Sequence, residues 1–357
     1  MTITNRNWMT IVSVFVISIS LFLIPCDASR HHKPKINTIY QFGDSLSDTG
    51  NFIHEKNIGK SQMYTCNYPY GETFFGKPSG RACDGRLIID YLPQALGLPL
   101  LNPYLVKKAS FKHGVSFAVS GATALNTSLL SDRGIYAYYT YSSLDVQVEW
   151  FKTHLKSLGM IKDCNLLDDY SASKRLDKAL FIVGEIGASD YASALIDERT
   201  PKEIMDLVPL VIQKIKETVG KLIELGATRL IIPGDFPNGC VPAVLTQSVS
   251  NALTELRTTY PHAVVLYADY YTSFFNLIKN ADHLGFEKQN LLKACCGTGG
   301  AYNFDLFNIC GDRRSGIPFK VCSNPDRRVS WDGIHLTQKA YSLMAEEIIR
   351  NLFPKLK

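Results

Sequence analysis

Five short apolar runs punctuate this 357-residue chain: NTIYQF at 37–42, GVSFAV at 114–119, KALFIVG at 178–184, TRLIIPG at 228–234 and HAVVLYA at 262–268. Each is continuous rather than alternating, the pattern of a strand covered on both faces. Segments of helical period lie between them. The clearest opens on Thr200-Pro201-Lys202-Glu203, a capping box with proline at the first helical position. From there Ile204, Leu207, Val208, Val211, Ile212, Ile215, Val219, Leu222 and Ile223 recur at three- and four-residue spacing until Gly226 gives a stop. A last helix is expected over 338–352. Strands that alternate with helices require right-handed crossovers and a parallel sheet. The expected fold is therefore α/β, a three-layer α/β/α sandwich around a five-stranded parallel sheet of flavodoxin-like kind. Ligands bind such sheets beyond the carboxyl ends of the strands. Here those ends read Gly43-Asp44-Ser45, Ser120-Gly121, Gly184-Glu185-Ile186-Gly187, Gly234-Asp235 and Ala268-Asp269.

Residues 1–29 stand apart. A polar start with Arg6, a nearly unbroken apolar run from Ile11 to Ile24, and a small-residue end, PCDAS, have the layout of a secretory signal peptide. The apolar run is interrupted by serines and falls short of the roughly 20 residues a membrane span needs. The expected organisation is a cleaved leader over 1–29 and one domain over 30–357, with no stable membrane span after cleavage. No repeat or linker divides the remainder. In an oxidising compartment the eight cysteines left after Cys26 departs read as disulfide candidates. Four of them crowd into 295–322, where no paired CxxC spacing suggests a metal. Asn126-Thr127-Ser128 is a glycosylation sequon. The net charge of +5 is spread over the chain with no basic run interleaved with aromatics, which argues against a nucleic-acid partner.

A serine hydroxyl becomes a useful nucleophile only beside a base, usually a histidine held in one tautomer by a carboxylate. Of eight histidines, His31 and His32 adjoin the cleavage site, and His54, His113, His154 and His262 lack a convincing local acid partner. Asp282-His283 reads as a surface pair. His335 differs, because WDGIH places Asp332 three residues before it, in a tight turn ahead of the final helix. That spacing lets the carboxylate reach Nδ1 while Nε2 points outward. Ser45, after the first strand, is the matching nucleophile. Asp44 adjoins it but carries an ordinary carboxylate's acidity, too strong for a base. Asp48 and Asn51 are expected to brace the turn that presents Ser45. The stretch YAYYTYSS at 136–143 is read as a loop that is either packed, exposed or part of a substrate pocket.

FGDSLSDTGN, FAVSGATAL (117–125), GEIGASDY (184–191) and WDGIHLT (331–337) resemble the four sequence blocks of the plant GDSL esterase/lipase family of SGNH hydrolases. The likeness runs over nearly the whole chain after residue 29. DGRLIIDYL (84–92), LPLLNPYL (98–105) and YADYY (267–271) resemble most the branch whose members deacetylate an indole alkaloid. The resemblance implies Ser45 as nucleophile, Asp332 as orienting acid and His335 as base. It places the oxyanion donors at the Ser45 and Gly121 amides and at position 189. It implies no metal or organic cofactor, and a small-molecule ester as substrate.

Three departures from the family follow. The third donor there is an asparagine amide, whereas Gly187-Ala188-Ser189-Asp190 has a serine at 189. After PNGCVPA (237–243) the family's loop and part of a helix are missing, either as a genuine shortening or as an artefact of the gene model. A genuine shortening leaves Cys240 without its partner and one wall of the cleft more open. Cys83 also lies one place later than the family's usual cysteine, which leaves a Cys66–Cys83 pairing open. The leading expectation is a serine carboxylic-ester hydrolase. Two rivals are an acyltransferase acting through the same Ser45 acyl-enzyme and a binding protein whose catalysis is impaired at Ser189.

Overall fold

The computed structural model describes residues 36–56, 64–161, 176–237, 241–314 and 316–356, with 241–248 described by backbone only. The expected leader, Cys164 and Cys240 lie outside the described residues. Residues Pro34–Lys357 form one compact unit. Its centre is a five-stranded sheet of β1 (Thr38–Phe42), β2 (Gly114–Ser116), β3 (Ala179–Val183), β4 (Arg229–Pro233) and β5 (Val264–Ala268). The spatial order is β2-β1-β3-β4-β5, and every pairing is parallel. All five apolar runs therefore become strands.

Successive side chains face opposite layers, as a pleated strand requires. On β3, Ala179, Phe181 and Val183 enter one core while Leu180 and Ile182 enter the other. On β4, Leu230 and Ile232 face the first core and Ile231 the second. The first core is covered by α3 (Leu144–Ser157), α5 (Pro201–Glu224) and α6 (Val241–Thr259), and the second by α1 (Ile88–Ala95), α7 (Tyr270–Lys279) and α8 (Gln338–Leu352). Two short helices, α2 (Thr127–Ser131) and α4 (Ala188–Ile196), sit in the crossovers. The capping box of α5 forms in full: Glu203 N–H donates to Thr200 Oγ1 at 3.3 Å and Thr200 N–H to Glu203 Oε2 at 2.8 Å.

β2 is shorter than its apolar run because the chain leaves the sheet while still bonded to it. Phe117 N–H donates to Gln41 O (2.7 Å) and Val119 N–H to Gly43 O (3.2 Å). Those two bonds carry Ser120 and Gly121 to the exit of β1. Beyond the sheet, β6 (Cys296–Gly297) and β7 (Lys320–Val321) pair antiparallel. Around them a small third core gathers Tyr64, Tyr70, Ile309 and Trp331 with Cys295, Cys296 and Cys310.

Candidate active site

The exits of β1, β2, β3 and β4 open into a cavity of about 340 Å³, which Ser45, Gly121, Ser189 and His335 all line. That volume is in the range of small-molecule sites. Asp332 stands one step behind it. Asn126 is elsewhere, half-buried before α2, with its Oδ1 accepting from Ser143 Oγ at 3.2 Å.

Asp332 and His335 form the pair expected from their spacing. His335 Nδ1 lies 2.7 Å from Asp332 Oδ2. Asp332 Oδ1 accepts the backbone N–H groups of Ile334 (3.0 Å) and His335 (2.7 Å). Burial by itself would raise this carboxyl's pKa. The His335 ring and the hydrogen bonds that converge on the carboxyl outweigh burial and hold it below its usual range. His335 is 2% exposed, and its Nε2 has no hydrogen-bond partner among the described residues. Nε2 and the Ser45 hydroxyl are thus not bonded to each other in this state. Bonds between a base and a nucleophile are often long before substrate arrives.

On the opposite wall, the turn bearing Ser45 is built by buried polar side chains. Asp48 accepts from the N–H groups of Gly50 (2.7 Å), Asn51 (2.6 Å), Phe52 (3.0 Å) and Ser120 (2.8 Å). Asn51 Nδ2 donates to Ser116 O (2.8 Å) and Ala118 O (2.9 Å). Both residues therefore brace the β1 exit against the β2 exit. Gln147, which sequence reasoning missed, clasps Gly43 from both sides: it accepts from Gly43 N–H (2.9 Å) and donates to Gly43 O (2.8 Å).

Neither the Ser45 nor the Gly121 amide N–H donates to another group among the described residues, so both are free for a ligand. Gly121 has φ +80°, and a Cβ there would lie 2.4 Å from Tyr139 Cβ, so no larger residue fits. The aromatic stretch divides accordingly. Tyr139 lines the cavity, while Tyr136, Tyr138 and Tyr141 are exposed. Ser189 is half-buried in the first turn of α4. The next residue, Asp190, accepts from Ala124 N–H (2.7 Å) and Leu125 N–H (3.0 Å). Asp190 thereby ties the loop carrying Gly121 to the helix carrying Ser189, and burial pushes its carboxyl up to about 7.

Asp44 corrects one expectation. Burial pushes it up to about 7, far from an ordinary carboxylate. Burial and the neighbouring Asp44 and Asp235 carboxyls also push Glu185 well above the usual carboxylate range. Asp44 Oδ1 also accepts Leu46 N–H at 3.1 Å. Its geometry is that of a buried brace. His154 is a core residue, 3% exposed, which burial pushes down to about 4, and Asp282 and His283 are both exposed.

The crowded cysteines pair as Cys295–Cys322 and Cys296–Cys310. Cys66 and Cys83 are both free thiols, the first exposed and the second buried. The pairing left open between them does not form. Among the described residues no group of three or more His, Cys, Asp or Glu side chains is arranged to hold a metal, and no helix is long and apolar enough to cross a membrane.

The chain is built as an α/β hydrolytic domain with its cleft at the strand exits, and comparison with known proteins gives that class a family. Residues 39–348 match the family model described as GDSL-like lipase/acylhydrolase, and the chain belongs to this family of carboxylic ester hydrolases. It is 42% identical over 346 residues to acetylajmalan esterase 1 of Rauvolfia serpentina, covering 90% of this chain and 88% of the relative. A GDSL esterase/lipase of Arabidopsis thaliana is 36% identical over 367 residues, covering 94% and 90%. A solved carbohydrate esterase aligns with a TM-score of 0.31 and 14% identity over 66% of this chain and 60% of its own.

Proposed function

We propose that this esterase deacylates a small-acyl ester, an acetate foremost, of an alkaloid or similar specialised metabolite, by way of Ser45, His335 and Asp332. One observation carries the reading: a histidine whose Nδ1 is fixed by a buried carboxylate, and whose Nε2 has no hydrogen-bond partner among the described residues, lines the same cavity as Ser45. In the proposed cycle Nε2 takes the Ser45 proton as Oγ bonds to the ester carbonyl carbon. The Ser45 and Gly121 N–H groups, with the Ser189 hydroxyl, receive the oxyanion. The alcohol leaves with the proton from His335. Water, deprotonated by the same nitrogen, then cleaves the acyl-serine and releases the carboxylic acid. The likeness to acetylajmalan esterases supports the acetyl group and the alkaloid class. The N-terminal leader pattern and the two disulfides support passage through the secretory pathway, to the cell exterior or the vacuole, and the Asn126 sequon supports glycosylation there.

A second reading rests on Ser189: a protein short of one oxyanion donor that binds esters without turning them over. Fluorophosphonate labelling of the purified chain separates the two. The proposal expects rapid labelling that Ser45→Ala abolishes, with ester hydrolysis lower by at least about 10³-fold in that variant. Folded protein that shows no labelling dependent on Ser45 would establish the binder. Adding a nucleophilic alcohol to the same assay distinguishes acyl transfer from hydrolysis by the product formed.

A further inference from the structure

The Asp332 carboxylate has one partner that neither the sequence blocks nor the Asp-His spacing announces. Tyr70 Oη donates to Asp332 Oδ2 at 2.8 Å, onto the same oxygen that holds His335 Nδ1. With the two backbone N–H groups on Oδ1, the carboxylate accepts four hydrogen bonds among the described residues, and Tyr70 and His335 supply the two that come from side chains. Burial, and then the neighbouring Asp332 carboxylate, push the Tyr70 phenol well above its ordinary range. It therefore remains a proton donor wherever the enzyme works.

The ring is fixed as firmly as the hydroxyl. Tyr70 is fully buried and meets Trp331 edge to face, with centroids 5.9 Å apart. Gly311 packs against the ring edge, where a Cβ would come within 2.9 Å of Tyr70 Cε2. Asn67 Nδ2 holds that strap by donating to Gly311 O at 2.9 Å. A phenol so placed has no freedom to leave Asp332.

We propose that Tyr70 is a positioning residue for the acid of the triad: it locks the Asp332 carboxyl in the rotamer that faces His335 and withdraws charge from Oδ2. The inference rests on the assignment of His335 as base. Each hydrogen bond to a carboxylate spreads its charge and weakens its pull on the remaining donors. Removal of the Tyr70 hydroxyl concentrates charge on Oδ2, stabilises the His335 imidazolium and raises the pH at which the ring becomes a free base.

Tyr70→Phe keeps the ring and deletes only the hydroxyl. Its kcat for an acetate ester is expected to fall about tenfold with KM unchanged, and the acidic limb of the kcat/KM profile to move up by about half a pH unit. Site-specific difluorotyrosine at position 70 keeps the shape, strengthens the donor and should move the same limb down. A merely structural hydroxyl would lower the melting temperature of the phenylalanine variant while leaving the limb of its active fraction in place, and that result overturns the proposal. If Tyr70→Phe does not fold, the difluorotyrosine protein decides alone, an unmoved limb counting against the proposal. A wild-type protein without Ser45-dependent hydrolysis would instead reject the function itself, so the two failures are distinguishable.

Discussion

The two walls of the cleft are built by different means. The wall bearing Ser45, Gly121 and Ser189 grows out of the parallel sheet, and buried side chains lock its turns. Asp48, Asn51 and Gln147 bond the backbone at the β1 and β2 exits, Gln41 bonds Gly184 O at the β3 exit, and Asp190 bonds the loop after β2. The wall bearing Asp332 and His335 has no strand of the main sheet beneath it. Val329 and Leu336 anchor its two ends in the second core, and between them its support is a two-stranded ribbon, a small aromatic core and two disulfides. Cys295 N–H donates to Ser330 O (3.0 Å) and Cys296 N–H to Trp331 O (2.7 Å), immediately before Asp332. A sheet with two large cores is stabilised by burial. A Gly-rich loop with a small core needs covalent closure, because each loop residue it orders costs about 1–2 kcal/mol of backbone entropy.

The largest effect should come from breaking that asymmetry at its covalent end. Cys296→Ser combined with Cys310→Ser opens the inner disulfide and leaves the sheet untouched. Loss of a native disulfide typically costs about 2–5 kcal/mol. Because the third core is small, that cost falls on the Asp332 wall. Esterase activity should drop by about 100-fold or more, while far-UV circular dichroism and the main thermal transition persist. Simultaneous loss of the main transition would mean that the two walls fold as one unit.

The next effect acts on the other wall. A Ser189 hydroxyl reaches less far than an asparagine amide, and an oxyanion donor acts only on the charge developed in the transition state. Ser189→Asn is expected to raise kcat by about tenfold with little change in KM, read in steady-state assays on the best acetate ester. A variant no faster than wild type would show that some other group already fills the third donor position.

The sequence made the same two walls unequally legible. Strand positions, the α5 capping box and the Asp332–His335 pair are local signals, readable over a few residues. The residues that assemble the walls are not. Gln147 is 104 positions from the Gly43 it clasps, Asp190 is 66 from Ala124, and Tyr70 is 262 from Asp332. A glutamine in an amphipathic helix or a tyrosine in a loop carries no local mark of such a partner. Cysteine pairing is equally silent, since four cysteines allow three connectivities. Asp44 was misjudged for a related reason: its acidity is set by the burial and the neighbouring carboxyls that the β3 and β4 exits bring to it.

The smallest effect follows from that burial, and it has opposite signs on the two walls. Asp44 and Asp190, both pushed up to about 7, keep protons in the folded protein that the unfolded chain releases near pH 4. Their contribution to stability is complete below the unfolded pKa and is lost as pH rises through 7. Asp48 and Glu185 are shifted the same way, also by burial. Asp332 is shifted down, so its contribution is present above the unfolded pKa and vanishes as pH falls through the lower folded value. The melting temperature should therefore decline by about 3–5 °C between pH 5 and pH 7, a slope that the Ser45 wall generates. Asp190→Asn should melt lower at pH 5 and show a shallower decline, because the amide cannot titrate. An unchanged slope in that variant would place the proton linkage on Asp44 and Glu185, at the β1 and β3 exits, and leave Asp190 as a purely geometric tie between the loop of Gly121 and the helix of Ser189.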